Sequence, residues 1–140
     1  MILIFGAIEF GRVFHATHVI TSTAREGARV AAVGKPNTAP DSPGIDSIDE
    51  AVKKASNSLV SESSVYLKNN TDYNSFNPNK SQVFYTIIPY NPTDRTGENR
   101  TQDYVEIKVK GAVEIVVPII SLFFTENPKI LESSAQMRLE

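Results

Sequence analysis

The residues of this chain that could bind a metal ion lie in three stretches. His15 and His18 are three positions apart, so a helix would bring both imidazoles to one face, but the sequence offers them no third ligand. The polar segments 69–81 and 91–101 carry the oxygen ligands that calcium prefers, although their spacing matches no EF-hand loop. We therefore predict no metal and no cofactor, and calcium binding by these two segments stays open.

The sequence contains none of the constellations on which enzymes commonly depend. It has no glycine loop of the phosphate-binding type and no nucleophile elbow. Cysteine is absent, which removes thiol nucleophiles, thiolate metal sites and disulfides. Glycosylation patterns begin at Asn69, Asn79 and Asn99, as expected by chance in an asparagine-rich chain. These observations predict a protein that is not an enzyme.

The composition is that of one folded domain. The chain has 140 residues, of which 41% are hydrophobic, with a net charge of −2 and a pI of about 5.7. Binding to a phosphate backbone depends on an excess of lysine and arginine, which this chain lacks. We therefore predict that nucleic acid is not a partner.

Residues 1–34 are predicted to form one long helix. Apolar or small residues recur at helical spacing, and nothing interrupts them before Gly34 and Pro36, where a helix would end. At 1.5 Å per residue this rod is about 50 Å long, more than a domain of this size could cover. We divide it into a part at 1–20 that faces a membrane or the core of a filament, and a part at 21–34 that packs on the head.

The front of the helix is its most apolar part. The run from Met1 to Ile8 is too short to span a bilayer alone, because charged residues begin at Glu9. One explanation is that Met1 lies inside a longer hydrophobic segment. The other is a bundle of identical helices, in which Glu9 and Arg12 pair within one helix or between neighbours.

Residues 35–140 are predicted to form a polar α+β head. A loop at 35–47 leads to a second, short helix, in which Ser47 and Glu50 form a capping box and which ends near residue 60. Alternating or β-branched stretches predict strands, with a bulge at Gly111. The predicted strands are 65–67, 82–90, 102–117 and 129–140, and they form a three- to four-stranded antiparallel sheet packed on the helices.

Three connections complete the head. Residues 69–81 are predicted to be a polar loop, and 91–101 to be the connection of a hairpin. The apolar segment 118–128 has two interpretations, either a plug under the sheet or a contact surface for a neighbouring subunit or lipid.

Two motifs in the first helix resemble signatures of the TadE-like family of pseudopilins. GAIEFGR at residues 6–12 is similar to the GxxEFGR-like signature that follows the hydrophobic helix in that family. TAREGAR at residues 23–29 is similar to its NAAREGAR-like signature. The closing SAQMRLE at 134–140 resembles the terminal strand of the family, whereas the middle of the chain is similar only in strand order.

The resemblance implies a pilin-like fold and a structural role. The chain would be a pilin or pseudopilin subunit of a tight-adherence (Tad) pilus or related secretion apparatus, with roles in surface adherence and no enzymatic activity. Its partners would be like subunits or other pilins, the pilus assembly machinery of the inner membrane, and the lipid bilayer before assembly. It would be located in the cell envelope with an extracytoplasmic head, or outside the cell in a pilus. The alternative is a membrane-anchored envelope binding module that does not polymerise and holds a ligand with its loops.

We predict two sets of functional residues on the helix. The assembly interface comprises Phe5, Gly6, Ile8, Glu9, Phe10 and Arg12, of which Glu9, Phe10 and Arg12 set the register between subunits. The helix-to-head packing set comprises Ala24, Gly27, Ala28 and Ala31, whose small side chains allow another backbone to come close. The spacing of Gly6 and Glu9 differs from that of a type IV prepilin cleavage site, so the resemblance assigns no processing site to these residues.

Overall fold

The elements of the head follow the first helix in a simple order. The computed structural model describes residues 1–34, 45–68, 70–76, 82–89, 104–116 and 128–138. The helices are α1 (Ile2–Gly34), α2 (Ile45–Ser56) and the short α3 (Asn70–Asn74), with a single 3-10 turn at Glu62–Ser64. The strands are β1 (Val65–Leu67), β2 (Val83–Pro89), β3 (Tyr104–Val113) and β4 (Lys129–Arg138).

The four strands form one sheet in the order β1-β2-β3-β4. Strands β2 and β3 pair antiparallel, as do β3 and β4, with Val83 opposite Gly111 and Val113 opposite Lys129. The predicted fold class is confirmed: a long first helix, a shorter second helix and a sheet that packs on them form an α+β head.

One strand pair differs from the predicted antiparallel sheet. β1 runs parallel to β2, with Val65 opposite Val83. Parallel neighbours need a long crossover connection, which residues 68–82 provide. Part of that connection, predicted to be loop throughout, is the helix α3. The prediction was wrong there because a polar segment of this composition carries no apolar period that would reveal a helix.

The core lies between the inner face of the sheet and the helices α1 and α2. α1 contacts α2, β3 and β4, and α2 also contacts β1. The small residues of α1 allow this close packing, and the hydroxyl of buried Tyr85 on β2 donates a hydrogen bond to Asp49 on α2. The main buried residues are Ile20, Ala24, Ala28, Ala31, Ile48, Val52, Val83, Tyr85, Val105, Ile107 and Val109.

The limits of α2 differ from those predicted. The helix begins at Ile45 and ends at Ser56, so Ser47 lies inside its first turn and is not the residue that caps it. The capping-box interpretation was therefore wrong, because the pattern of Ser47 and Glu50 also occurs within helices. The hydroxyl of Ser56 donates a hydrogen bond to the carbonyl oxygen of Val52. After Ser56 the chain turns.

Gly111 lies in a regular strand, and the predicted bulge is not there. Its register with Val83 on one side and Leu131 on the other is continuous. A β-carbon at this position would lie 2.8 Å from Cδ1 of Ile20, so the glycine provides the space in which α1 crosses the sheet. The sequence could not reveal this contact, because the residue that needs the space is far away in the chain.

Two predicted segments fall mainly on residues that are not described. The hairpin connection at 91–101 and almost all of the apolar segment 118–128 lie outside the described residues. The same is true of most of the loop at 35–47 and of the last two residues of the closing strand.

Candidate interaction surface on the first helix

The first helix has one side on the head and one side in solvent. Residues on the inner side are buried and recur at helical spacing, with intervals of three, four or, from Glu9 to Ala16, seven: Glu9, Ala16, Val19, Ile20, Thr23, Ala24, Gly27, Ala28, Ala31 and Ala32. The first of these is Glu9. Before it, no residue with a described side chain is buried, and Gly6 is half-buried. Residues 1–8, which we call the apolar tip, therefore form about 12 Å of helix on which no described side chain is buried.

The apolar tip carries several large and exposed hydrophobic side chains. Leu3 is 87% exposed, and Ile4, Phe5 and Ile8 are also exposed. Soluble monomers rarely expose contiguous apolar patches of this kind, and such patches mark contacts with proteins or membranes. Three of the predicted interface residues, Phe5, Gly6 and Ile8, lie in this tip.

An aromatic pair continues the apolar surface beside the head. Phe10 is 70% exposed and Phe14 67%, and their rings stack with centroids 6.5 Å apart. Phe10 belongs to the predicted interface, whereas the sequence reasoning missed Phe14. The signal was present, because residues four apart lie on the same face of a helix. We call Phe10 and Phe14 the aromatic pair.

Glu9 differs from its apolar neighbours because it faces the head. Glu9 is only 3% exposed, and its two carboxylate oxygens lie 3.1 and 3.2 Å from Nη1 of Arg12. The backbone N–H of Val116 donates a further hydrogen bond to Oε1, at 3.2 Å. Of the two pairings considered for Glu9 and Arg12, the structure forms the one within a single helix.

The predicted helix-to-head set lies where α1 meets α2 and the sheet. Ala24, Ala28 and Ala31 are fully buried, and Gly27 is buried between Val52 and Ile107. Larger side chains here would separate the layers, since core packing leaves few voids.

α1 is also long and apolar enough to cross a membrane. The helix Leu3–Val33 contains an 18-residue window with a mean hydropathy of 1.2, of which 22% is buried. A core helix of a soluble protein or a signal sequence can meet the same criterion, although a core helix would be mostly buried. The run from Met1 to Ile8 is predicted to be too short to span a bilayer alone. The 18-residue window is longer because it includes charged residues that interrupt the apolar run.

The candidate metal ligands do not gather into a site in the described part of the chain. His15 and His18 are exposed on α1, and no group of three or more potential ligands occurs among the described residues. Of the first proposed calcium segment, residues 70–76 are described and contain α3. The second, 91–101, lies outside the described residues.

Two surface clefts flank α2, and both are lined largely by polar and charged residues. The larger, about 590 Å³, lies between α1 and α2 and is lined by Ser22, Glu26, Val30, Ser47, Glu50, Ala51, Lys54 and Ala55. Ligand pockets are usually apolar with a few polar groups. Neither cleft supports a ligand-binding role as well as the exposed helix supports an interaction role.

Two buried tyrosines link elements of the head through hydrogen bonds that no sequence pattern indicates. Tyr73, just before the end of α3, donates to Glu132 at 3.2 Å and lies under the ammonium group of Lys110. Burial, together with the neighbouring carboxylates, raises the pKa of Tyr73 and of Tyr85 well above the usual value.

Comparison with known proteins identifies one relationship. The family model described as TadE-like protein matches residues 1–29. The match covers both motifs that carry the resemblance, which is thereby confirmed. No curated protein and no solved structure matches the chain.

Proposed function

We propose that this chain is a structural pilin or pseudopilin subunit of a Tad pilus or a related secretion apparatus. The match to the TadE-like family and the apolar first helix fit a minor pilin. The observation that carries the proposal is the division of α1 at Glu9, because from Glu9 onward one side of the helix packs on the head, whereas the apolar tip at residues 1–8 is exposed.

The subunit assembles through the apolar tip and the adjoining aromatic pair, and it exposes its head. The interface that we propose comprises Phe5, Gly6, Ile8, Glu9, Phe10 and Arg12, together with the exposed Phe14. Within this set Glu9 is buried against its own head, so it contributes by positioning its exposed neighbours. Burial of this surface against like subunits or other pilins removes it from water, and contacts of the non-closing kind build filaments. Before assembly the lipid bilayer covers the same surface, and the pilus assembly machinery of the inner membrane extracts the subunit from it.

The head has a structural role in this proposal and no enzymatic one. It lies outside the cytoplasmic membrane, either in the cell envelope or along a pilus, where it contributes to surface adherence. The largely polar outer faces of β3 and β4 and the charged exposed face of α2 suit a surface that stays in water.

The test is negative-stain electron microscopy of the purified chain with and without the apolar tip. Deletion of residues 1–8 removes no residue whose described side chain is buried, so the head is expected to fold. We expect filaments or ordered oligomers from the full chain and monomers from the deletion. A control variant with Glu50→Ser and Lys54→Ser, on the exposed face of α2, should assemble normally.

Monomeric particles from both chains would contradict assembly. If the full chain then bound vesicles while the deletion did not, the alternative of a membrane-anchored binding module that does not polymerise would replace our proposal.

A further inference from the structure

Glu9 is a buried charge with a partner on a distant part of the chain. A carboxylate removed from water is destabilising unless it is paired and hydrogen-bonded. Arg12 supplies the opposite charge, but its side chain is 48% exposed, against 4% for that of Glu9. The second partner, the N–H of Val116, is the one that joins α1 to the head.

Val116 is held in place by its backbone and not by its side chain. The residue follows β3, which ends at Val113, and its own side chain is 60% exposed. Ile115, just before it, is buried. The chain leaving β3 therefore passes α1 at Glu9, and the hydrogen bond from the Val116 N–H is a direct link between the two.

A second ion pair on the same helix shows what is particular about Glu9. Glu26 and Arg29 have the same three-residue spacing and comparable distances, 2.7 and 3.1 Å. Their side chains are 40% and 66% exposed. The Glu26 pair lies on the surface, where such pairs contribute little, whereas Glu9 lies between the helix and the head.

We infer that Glu9 is a positioning residue that fastens the N-terminal part of α1 to the segment that follows β3. Among the residues of α1 with described side chains it is the first that is buried, so this contact lies where the packed helix ends and the apolar tip begins. Glu9 then affects assembly from within its own subunit, by holding the tip at a fixed place relative to the head. This consequence for assembly rests on the proposed function, whereas the fastening itself does not.

The test is amide hydrogen exchange on the unassembled full chain in detergent micelles, measured for the wild type, Glu9→Ala and Glu26→Ala. Alanine preserves the helix, while the change removes the carboxylate together with its Cγ methylene. We expect the Val116 amide to exchange roughly tenfold faster or more in Glu9→Ala, because a hydrogen bond to a charged acceptor is lost. Glu26→Ala is the matched control and should leave Val116 unchanged.

Glu9→Gln keeps the inference testable if Glu9→Ala does not fold. Glutamine retains a carbonyl acceptor for Val116 but loses the charge, and neutral hydrogen bonds are weaker. We expect Val116 to exchange roughly twofold to tenfold faster than in the wild type, with the amide of core residue Ile107 unchanged.

Unchanged exchange at Val116 in a folded Glu9→Ala or Glu9→Gln variant would overturn the inference. If such a variant also failed to assemble, Glu9 would act across subunits. Failure of the full chain to form filaments would leave the exchange result intact, so the two proposals fail separately.

Discussion

Gly27 on α1 has no room for a side chain, because a β-carbon there would lie 2.9 Å from Cγ2 of Val52 on α2. It would also lie 3.3 Å from Cγ2 of Ile107 on β3. Both neighbours are buried and β-branched, so they have few other rotamers to adopt. The two helices and the sheet therefore meet at a single glycine.

Gly27→Ala should destabilise the head. Overpacking typically costs about 1–3 kcal/mol, against a gain of about 1 kcal/mol from replacing glycine inside a helix. We expect a net loss of roughly 1 kcal/mol in the free energy of unfolding. Urea unfolding followed by circular dichroism measures it.

Gly11→Ala is the matched control on the same helix. Nothing lies within 4 Å of the β-carbon it would add, so only the helix propensity changes. We expect a stabilisation of about 0.5–1 kcal/mol. If Gly11→Ala and Gly27→Ala changed stability in the same direction, the close approach at Gly27 would not be the controlling factor.

Arg12→Ala should destabilise the protein more than Arg29→Ala does. Loss of Arg12 leaves the buried carboxylate of Glu9 without its cation, whereas Glu26 can be solvated when Arg29 is removed. We expect a loss of about 1–3 kcal/mol for Arg12→Ala and at most about 1 kcal/mol for Arg29→Ala. Equal losses in denaturant unfolding would show that burial does not distinguish the two pairs.

Stability should fall at alkaline pH because of Tyr85 and Tyr73. Burial and the neighbouring carboxylates raise the pKa of both phenols in the folded state, while the unfolded state keeps the usual value near 10.0. The folded protein thus holds two protons that the unfolded chain releases, so their contribution is complete below pH 10 and is lost as the pH rises above it.

The measurement is the free energy of unfolding between pH 8 and pH 11, for the wild type and for Tyr85→Phe with Tyr73→Phe. We expect a steeper decline in the wild type. Tyr66→Phe, at an exposed tyrosine, controls for the loss of a phenol from the surface. Parallel curves for the wild type and the double variant would contradict the assignment.

Phe10→Gln with Phe14→Gln should reduce association without destabilising the head. Both rings are exposed, so their removal is expected to change the free energy of unfolding by less than about 0.5 kcal/mol. Sedimentation at falling detergent concentration should show a smaller oligomer than for the wild type. His15→Gln with His18→Gln, exposed on the same helix, is the control and should sediment like the wild type.

The sequence predicted the elements of this fold better than their contacts. The end of α1 at Gly34 and the strand β1 follow from local punctuation and alternation, and the structure has them where they were predicted. Gly111 was identified as unusual, but the reason, Ile20, lies on another element. Local pattern reveals that a residue is exceptional and leaves open which neighbour makes it so.

The same limit applies to the candidate interaction surface. The spacing of Glu9 and Arg12 predicted an ion pair, and the apolar run predicted a bare tip. The partner Val116 follows β3 and is 107 residues away from Glu9 in the sequence, so only the folded arrangement brings the two together. The parallel pairing of β1 and β2 escaped prediction because strand direction depends on the route of the connection.

The position of β4 has a consequence for the order in which the protein folds. This strand is the described element farthest in sequence from α1, yet α1 packs on it, and β4 pairs with β3 along its whole length. Contacts between such distant elements form late, because the loop they close is long. During synthesis the inner side of α1 therefore stays incompletely covered until β4 has been made, although α2 and β3 precede it in the chain and cover part of that side. Any factor that shields a nascent hydrophobic helix would have the longest access to this part of the molecule.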